Sequence, residues 1–344
     1  MEPVFSEDKI TVFKQLLAGR PPVVLTMHHR PDGDALGSAL GLQRVLTGTG
    51  HNARVVAPSE FPSFLDWMPG STEVVDFIRN PEEARSLFSA AGLIICLDFN
   101  DPSRVEAMHS TLAEAAAPIV MIDHHLDPKP GFGLIQFSYP SVGSTSELVA
   151  HLLPALGLDH GLDRDSAECL YAGIMTDTGG FRFNSVTPAT HRIIARLIAA
   201  GARNDLIHDF IYDNNSEWRM RFLGYTLQEK MKVFREFSTV VFTASQEDMD
   251  RFHHEPGDLE GIVNYGLAIK GIRLAVLFSE RDGMVKISFR SKGDFSVKDI
   301  AVRHFEGGGH RNAAGGRSRL SLNETVGRFL NLLPEFENEL SPDA

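Results

Sequence analysis

Cysteine is nearly absent from this 344-residue chain, occurring only at Cys96 and Cys169. Both sit in apolar surroundings, LIICLDF and AECLYAG, and read as buried thiols; a disulfide framework or a thiolate metal site is therefore not expected. No window approaches the ~18 uninterrupted apolar residues of a transmembrane helix, which argues against a membrane span. The N-terminal stretch MEPVFSEDKITVF is acidic and has no apolar core, so no signal peptide is expected and the cytoplasm is the expected location. Basic residues are also in deficit: 33 Lys and Arg against 45 Asp and Glu leave a formal net charge of -12. Proteins that grip long nucleic acid need a basic stripe to neutralise several phosphates, so the deficit weighs against a polymer partner. A small anion is not excluded, because bound divalent cations and a few local Arg and His residues can supply positive field. Internal repeats and low-complexity segments are missing as well.

What is present is an ordinary globular composition, 43% hydrophobic and 23% charged, on a chain long enough for two domains with a sizeable core. The first half alternates β-rich runs, PVVLTM (22–27), ARVVAP (53–58), LIICLDF (93–99) and PIVMID (118–123), with amphipathic stretches such as ALGSALGLQRVL and PEEARSLFSAAG. This alternation predicts an α/β fold, a doubly wound and mostly parallel sheet covered by helices on both faces. Strands ending in Asp or His place those residues at the carboxyl edge, where open α/β sheets build their sites. After TPATHRIIARLIAAGA the character changes: a helix-rich stretch leads into STVVFTA, GIRLAVLFSE and MVKISFRS. In the last of these, Val285, Ile287 and Phe289 alternate with Lys286, Ser288 and Arg290, the period of a half-buried strand. The expected division is a first domain over 1–190, a helical linker over 191–229 and a smaller α/β domain over 230–344.

Four segments concentrate acids and histidines at the ends of such runs: HHRPDGDALGS (28–38), LDFND closing on Asp98, IDHH (122–125) and GIMTDTGGF around Asp177. A lone Asp at a strand end ordinarily caps a turn, but four such segments in one doubly wound pattern point to a common site. Imidazoles with several carboxylates suit Mn²⁺, Mg²⁺ or Co²⁺, and the inventory suffices for two ions a few ångströms apart. Gly37-Ser38 is expected to open the helix after the first motif. Ser144, Thr145 and Glu147 read as a helix start with packing before a substrate contact, and Phe183 as core before a substrate contact.

These four segments, in this order, resemble the motifs of the DHH phosphoesterase family, and EGGGHRNAAGG (306–316) resembles the glycine-rich signature of the associated DHHA1 domain. The similarity runs from about residue 20 to 320 and is greatest to the NrnA-like subgroup of short-oligoribonucleotide hydrolases and 3′-phosphoadenosine-5′-phosphate (pAp) phosphatases. Carried over residue by residue, it assigns one metal to His28, Asp32, Asp98 and Asp177, and a second to Asp34, Asp98, His124 and Asp177. Asp98 and Asp177 would bridge two cations, manganese in first place, and an attacking hydroxide would lie between them. Asp123 would orient the histidines, and His125 would face the substrate phosphate. Arg290, Gly308, Gly309 and His310 would grip the substrate from the DHHA1 domain, across a cleft whose length measures it. The resemblance implies a hydrolase for short oligoribonucleotides or pAp. Cyclic or linear dinucleotides (cyclic di-AMP, pApA) and polyphosphate are alternatives, and a non-catalytic nucleotide sensor ranks last. A processive exonuclease would need domains for which the chain has no room. Pairing of the helical linker would allow a homodimer.

Overall fold

Runs of branched apolar residues bounded by turn formers become strands, and in the first half of the chain every such strand is covered on both faces. A computed structural model describes residues 3–255, 257–281, 283–309 and 311–341. Contacts divide the chain into two units, Met1–Asn214 and Asn215–Ala344. The boundary falls inside the stretch expected as linker, and that stretch's helices are shared between the units.

In the first unit the strands are β1 (Val23–Thr26), β2 (Ala53–Ala57), β3 (Val75–Asp76), β4 (Leu93–Leu97), β5 (Ile119–Asp123) and β6 (Ile135–Ser138). They form one sheet in the order β3-β2-β1-β4-β5-β6, and every neighbouring pair is parallel. The helices are α1 (Glu7–Ala18), α2 (Gly33–Gly48), α3 (Pro81–Ala90), α4 (His109–Glu114), α5 (Thr145–Leu156), α6 (Arg164–Asp177), α7 (Pro188–Ala199) and α8 (Asn204–Tyr212). Alternate strand residues feed two cores. Val23, Leu25, Ile95 and Leu97 pack with α1, α2, α5 and α6, while Val24, Ile94 and Cys96 pack with α3 and α4. This is the expected doubly wound fold. Cys96 and Cys169 are both fully buried and unbridged.

Helix α2 starts at Gly33, earlier than the sequence suggests, because Asp32 caps it: Asp32 Oδ1 accepts from the amides of Asp34 (3.0 Å) and Ala35 (3.1 Å). Gly37 therefore lies inside the helix rather than at its opening. Gly33, Gly37 and Gly41, four residues apart, share one face of α2. A Cβ at Gly37 would stand 2.5 Å from the Cys169 carbonyl oxygen, and one at Gly41 would stand 2.6 Å from Leu170 Cγ. At Gly33 it would meet Thr176 Oγ1 at 2.5 Å, so α2 and α6 run antiparallel in close contact. The start of α2 thereby lies beside the end of α6.

In the second unit, β7 (Met231–Phe234), β8 (Thr239–Ala244), β9 (Leu274–Arg281), β10 (Met284–Ser291), β11 (Gly308–Gly309) and β12 (Ala313–Ser318) form a mixed sheet ordered β11-β12-β10-β9-β8-β7. Only β8 and β9 are parallel there. Its helices are α9 (Glu217–Glu229), α10 (Gln246–Arg251), α11 (Ile262–Leu267), α12 (Val297–His304), α13 (Leu322–Leu332) and α14 (Glu337–Leu340). Among the described residues no helix is long and apolar enough to cross a membrane.

Candidate metal centre

The order of the first sheet reverses direction between β1 and β4, and ligands of open α/β sheets collect outside the carboxyl ends of the strands at such a point. His28 follows the end of β1, Asp98 follows β4 directly, and β5 ends in Asp123 with His124 and His125 after it. Asp32 and Asp34 open α2, and Asp177 closes α6. The close packing of α2 on α6 brings these last residues to the same edge.

His28 Nε2 lies 3.4 Å from Asp98 Oδ2 and 3.9 Å from Asp32 Oδ2. His124 Nε2 lies 3.3 Å from Asp177 Oδ2, 3.6 Å from Asp98 Oδ1 and 3.9 Å from Asp34 Oδ2. Among the described residues three donor groups result, each with its ligating atoms within 4.8 Å of one another: His28-Asp32-Asp98, Asp34-His124-Asp177 and Asp98-His124-His125. Asp98 and His124 each belong to two of them. All the residues expected as ligands are thus brought together. Asp177 groups with Asp34 and His124 and does not share a group with His28. Oxygen and imidazole donors, with both thiols elsewhere, are the set that Mn²⁺ and Mg²⁺ prefer.

Hydrogen bonds hold the donors in place. The Nδ1 atoms of His28 and His124 lie against the carbonyls of His29 (2.9 Å) and Val142 (3.3 Å), leaving Nε2 toward the carboxylates. Asp123, fully buried, has Oδ1 at 2.7 Å from His125 Nδ1 and Oδ2 accepting from the His125 amide at 3.0 Å. The start of α5 also contributes. Asp34 accepts from the Thr145 amide (2.6 Å) and the Ser146 amide (2.8 Å), and the Thr145 hydroxyl donates to Asp98 Oδ1 (2.8 Å). Asp98 has φ +62°, left-handed backbone that Asp adopts more readily than most residues at a cost of roughly 1–2 kcal/mol.

The electrostatics follow from crowding. Burial pulls the His28 imidazole down, but the hydrogen bond to Asp98 and the charges of Asp32 and Asp98 outweigh it and raise it to about 9. His124 behaves alike: burial opposes, Asp177, Asp98 and Asp34 win, and it rises to about 9. Burial pushes the Asp177 carboxyl up to about 7 against the pull of His124. Burial also works against ionised Asp98, yet the hydrogen bond from His28 and the nearby imidazoles hold it well below the usual carboxylate range. Groups raised in the fold contribute stability below their ordinary values, and that contribution disappears as pH climbs through the raised ones. Chelator-treated protein should therefore lose stability between pH 3.8 and about 7, the window of Asp177, and further between pH 6.5 and about 9, the window of His28 and His124. The scale is on the order of 3 kcal/mol per imidazole at most. Calorimetry should show Tm falling by roughly 5 °C or more. Excess Mn²⁺ should reverse the slope, since cation binding competes with these protons; a flat profile with chelator would contradict the account.

Several other readings change. Ser144 caps α5 as expected, and Glu147 is buried against the Thr190 hydroxyl (3.0 Å), but Thr145 turns inward to Asp98. The only sequence signal for that contact is a run of hydroxyl residues before an apolar helix. Phe183 is not core: it is 47% exposed, in the loop after Asp177. His29 lies 3.4 Å from Glu106. In the second unit Arg290 sits on β10 opposite Ala313, and its Nη1 donates to the Phe289 carbonyl (2.9 Å). Gly308-Gly309 form exposed strand β11 rather than an open turn, pairing with Gly315 and Ala314. A Cβ at Gly309, φ +137°, would stand 2.6 Å from the Ala313 carbonyl oxygen, so this glycine serves close strand approach. Register places Gly309 and Arg290 beside neighbouring residues of β12. His310 lies outside the described residues.

Residues 22–174 match the DHH family, N-terminal domain, and residues 239–339 match the DHHA1 domain. The bifunctional oligoribonuclease and PAP phosphatase NrnA of Thermus thermophilus is 30% identical over 97% of this chain and 96% of its own length. The cyclic-di-AMP phosphodiesterase GdpP of Bacillus subtilis is 25% identical over 94% of this chain, which spans 49% of that protein. The solved structure of an exopolyphosphatase-related protein from Bacteroides fragilis superposes with a TM-score of 0.95 at 37% identity, covering 99% of both chains. The class that the fold and these matches define is that of the DHH phosphoesterases. The chain belongs to the DHH family, with the DHHA1 domain as its second part.

Proposed function

We propose that the protein hydrolyses short oligoribonucleotides and pAp with two divalent cations, manganese in first place. His28, Asp32 and Asp98 would hold one, and Asp34, His124 and Asp177 the other, with Asp98 shared. The observation that carries this reading is the overlap of the donor groups: Asp98 offers Oδ2 to the His28 side and Oδ1 to the His124 side. Bound cations supply Lewis acidity and lower the pKa of water toward neutrality.

The chain's own residues do the rest. The attacking water releases one proton to solvent as its oxygen forms a bond to phosphorus, the ester P–O bond breaks, and the leaving oxygen takes up a proton. His125, fixed through Nδ1 by Asp123, can donate that proton from Nε2. The amides at the start of α5 hold Asp34 stationary and favour its ionised form, against burial and the charges of Asp98 and Asp177, which push its carboxyl well up. Arg290, Gly308, Gly309 and His310 are proposed as the grip of the second unit on the substrate. The net charge of -12 and the full-length similarity to a short-oligoribonucleotide hydrolase support small substrates over polymers.

The test is a panel with Mn²⁺: pApA, longer oligoribonucleotides, pAp, cyclic di-AMP and polyphosphate. The expected result is rapid mononucleotide release from the shortest oligoribonucleotides and phosphate release from pAp, both abolished by chelator. Preferential opening of cyclic di-AMP would replace this substrate assignment with a signalling one. Inactivity on the whole panel with metal bound would refute it.

A further inference from the structure

The proposed pair of cations leaves open what keeps a shared carboxylate correctly turned. Asp98 carries two different environments on its two oxygens. Oδ2 faces His28 at 3.4 Å. Oδ1 lies 3.6 Å from His124 Nε2 and 3.7 Å from His125 Nδ1, and it also accepts the Thr145 hydroxyl at 2.8 Å. A carboxylate rotates about its Cβ–Cγ bond, and that torsion is broad and soft. Here a single neutral hydroxyl donor, fully buried at the start of α5, closes on one oxygen only. The same helix end holds both oxygens of Asp34 through the Thr145 and Ser146 amides. One rigid element therefore sets the angle of Asp98 relative to Asp34.

We infer that Thr145 is a positioning residue for the metal pair: its hydroxyl orients Asp98 Oδ1 and so secures the cation on the His124 side, while the cation on the His28 side depends on it little. The inference rests on the two-cation reading above. Thr145 donates its one hydroxyl proton and brings no charge. Its removal therefore alters direction rather than the donor inventory, and outer hydrogen bonds of this kind are typically worth about 10–100-fold in metal affinity. The backbone at Asp98, φ +62°, strengthens the need, since the left-handed main chain sets where the side chain starts and the hydroxyl sets where it ends.

The experiment titrates Mn²⁺ into chelator-stripped, full-length wild type, Thr145→Val, Thr145→Ala and Thr145→Ser. Calorimetry follows affinity, and electron paramagnetic resonance follows spin coupling between neighbouring ions. In Thr145→Val and Thr145→Ala the first equivalent should bind as in wild type. The second should weaken by about 10–100-fold, and the coupled-pair spectrum should vanish at two equivalents. Thr145→Ser, which keeps the hydroxyl, should restore both. The alanine variant guards against the case in which valine fails to fold, and Tm in chelator should match wild type for any variant that is scored. Two tight equivalents and an intact coupled spectrum in the hydroxyl-free variants would overturn the role of Thr145 and leave the phosphoesterase reading standing. Fewer than two equivalents in wild type would remove the two-cation reading itself, and this inference with it.

Discussion

Asp98→Asn should lower kcat/KM on the best substrate by about ten-thousand-fold, on the order of 5 kcal/mol of transition-state stabilisation. Asparagine is the severe test because so little else changes. It tolerates the left-handed backbone at φ +62° nearly as well as aspartate, and its amide oxygen can still accept from the Thr145 hydroxyl. What disappears is the charge and one of the two anionic donors, at the residue common to the His28 and His124 donor groups. Both proposed cations should weaken together, unlike the one-sided loss expected from Thr145 variants. Steady-state kinetics with saturating Mn²⁺, next to a binding titration, decides the matter. Residual activity above about a hundredth of wild type would show that Asp98 does not bridge.

Gly37→Val should be the most damaging substitution at a residue that is not itself a donor. The added Cβ would meet the Cys169 carbonyl oxygen at 2.5 Å and the Gly173 amide nitrogen at 3.1 Å, both of them backbone atoms of α6. Backbone cannot step aside as a side chain can, so the helices must separate. Forced overpacking of this kind costs about 1–3 kcal/mol or more, and the upper end corresponds to roughly 10 °C in Tm for a unit of this size. Separation would also move Asp32 and Asp34 away from Asp177, so Mn²⁺ affinity should fall with stability. Gly224 and Gly327 supply the contrast. Both are helical with open space where a Cβ would go, and alanine there should stabilise by about 0.5–1 kcal/mol. Equal tolerance of Gly37→Val and Gly224→Ala in thermal melts would refute the close-packing account.

The parts of this molecule that were legible in its sequence are those that local pattern determines. Long apolar strands such as Leu93–Leu97 announce themselves because both faces are buried, and their ends then point to Asp98 and Asp123 without further information. The short strands β3, β6, β7, β11 and β12 were not legible, since their pairing rests on partners far along the chain. Gly37 misled for a similar reason. Its place in the motif suggests the opening of the helix, whereas it lies inside α2 and its use is set by α6, more than a hundred residues away. The donor set was recognisable as a group from residue types alone. The sharing of Asp98 between two oxygens' worth of neighbours, its strained main chain and the inward turn of Thr145 are properties of three-dimensional convergence. Phe183 is the opposite failure: an aromatic residue expected inside stands half in solvent beside the loop that follows Asp177.

The seclusion of the two sulfhydryls has a bearing on how the protein would fare under oxidative stress. Cys96 is fully enclosed in β4 and Cys169 is fully enclosed in α6, its Sγ resting 3.7 Å from the Pro69 carbonyl oxygen, and burial pushes both thiols upward. Peroxide and alkylating reagents act on accessible thiolate, which neither residue offers. Nor does either sulfur stand among the donors to invite soft ions such as cadmium or copper(I) in place of a hard one. Inactivation of the folded protein by oxidants would thus have to act on groups other than its thiols, such as the exposed Met220 and Met284, and assays can be run without reducing agent.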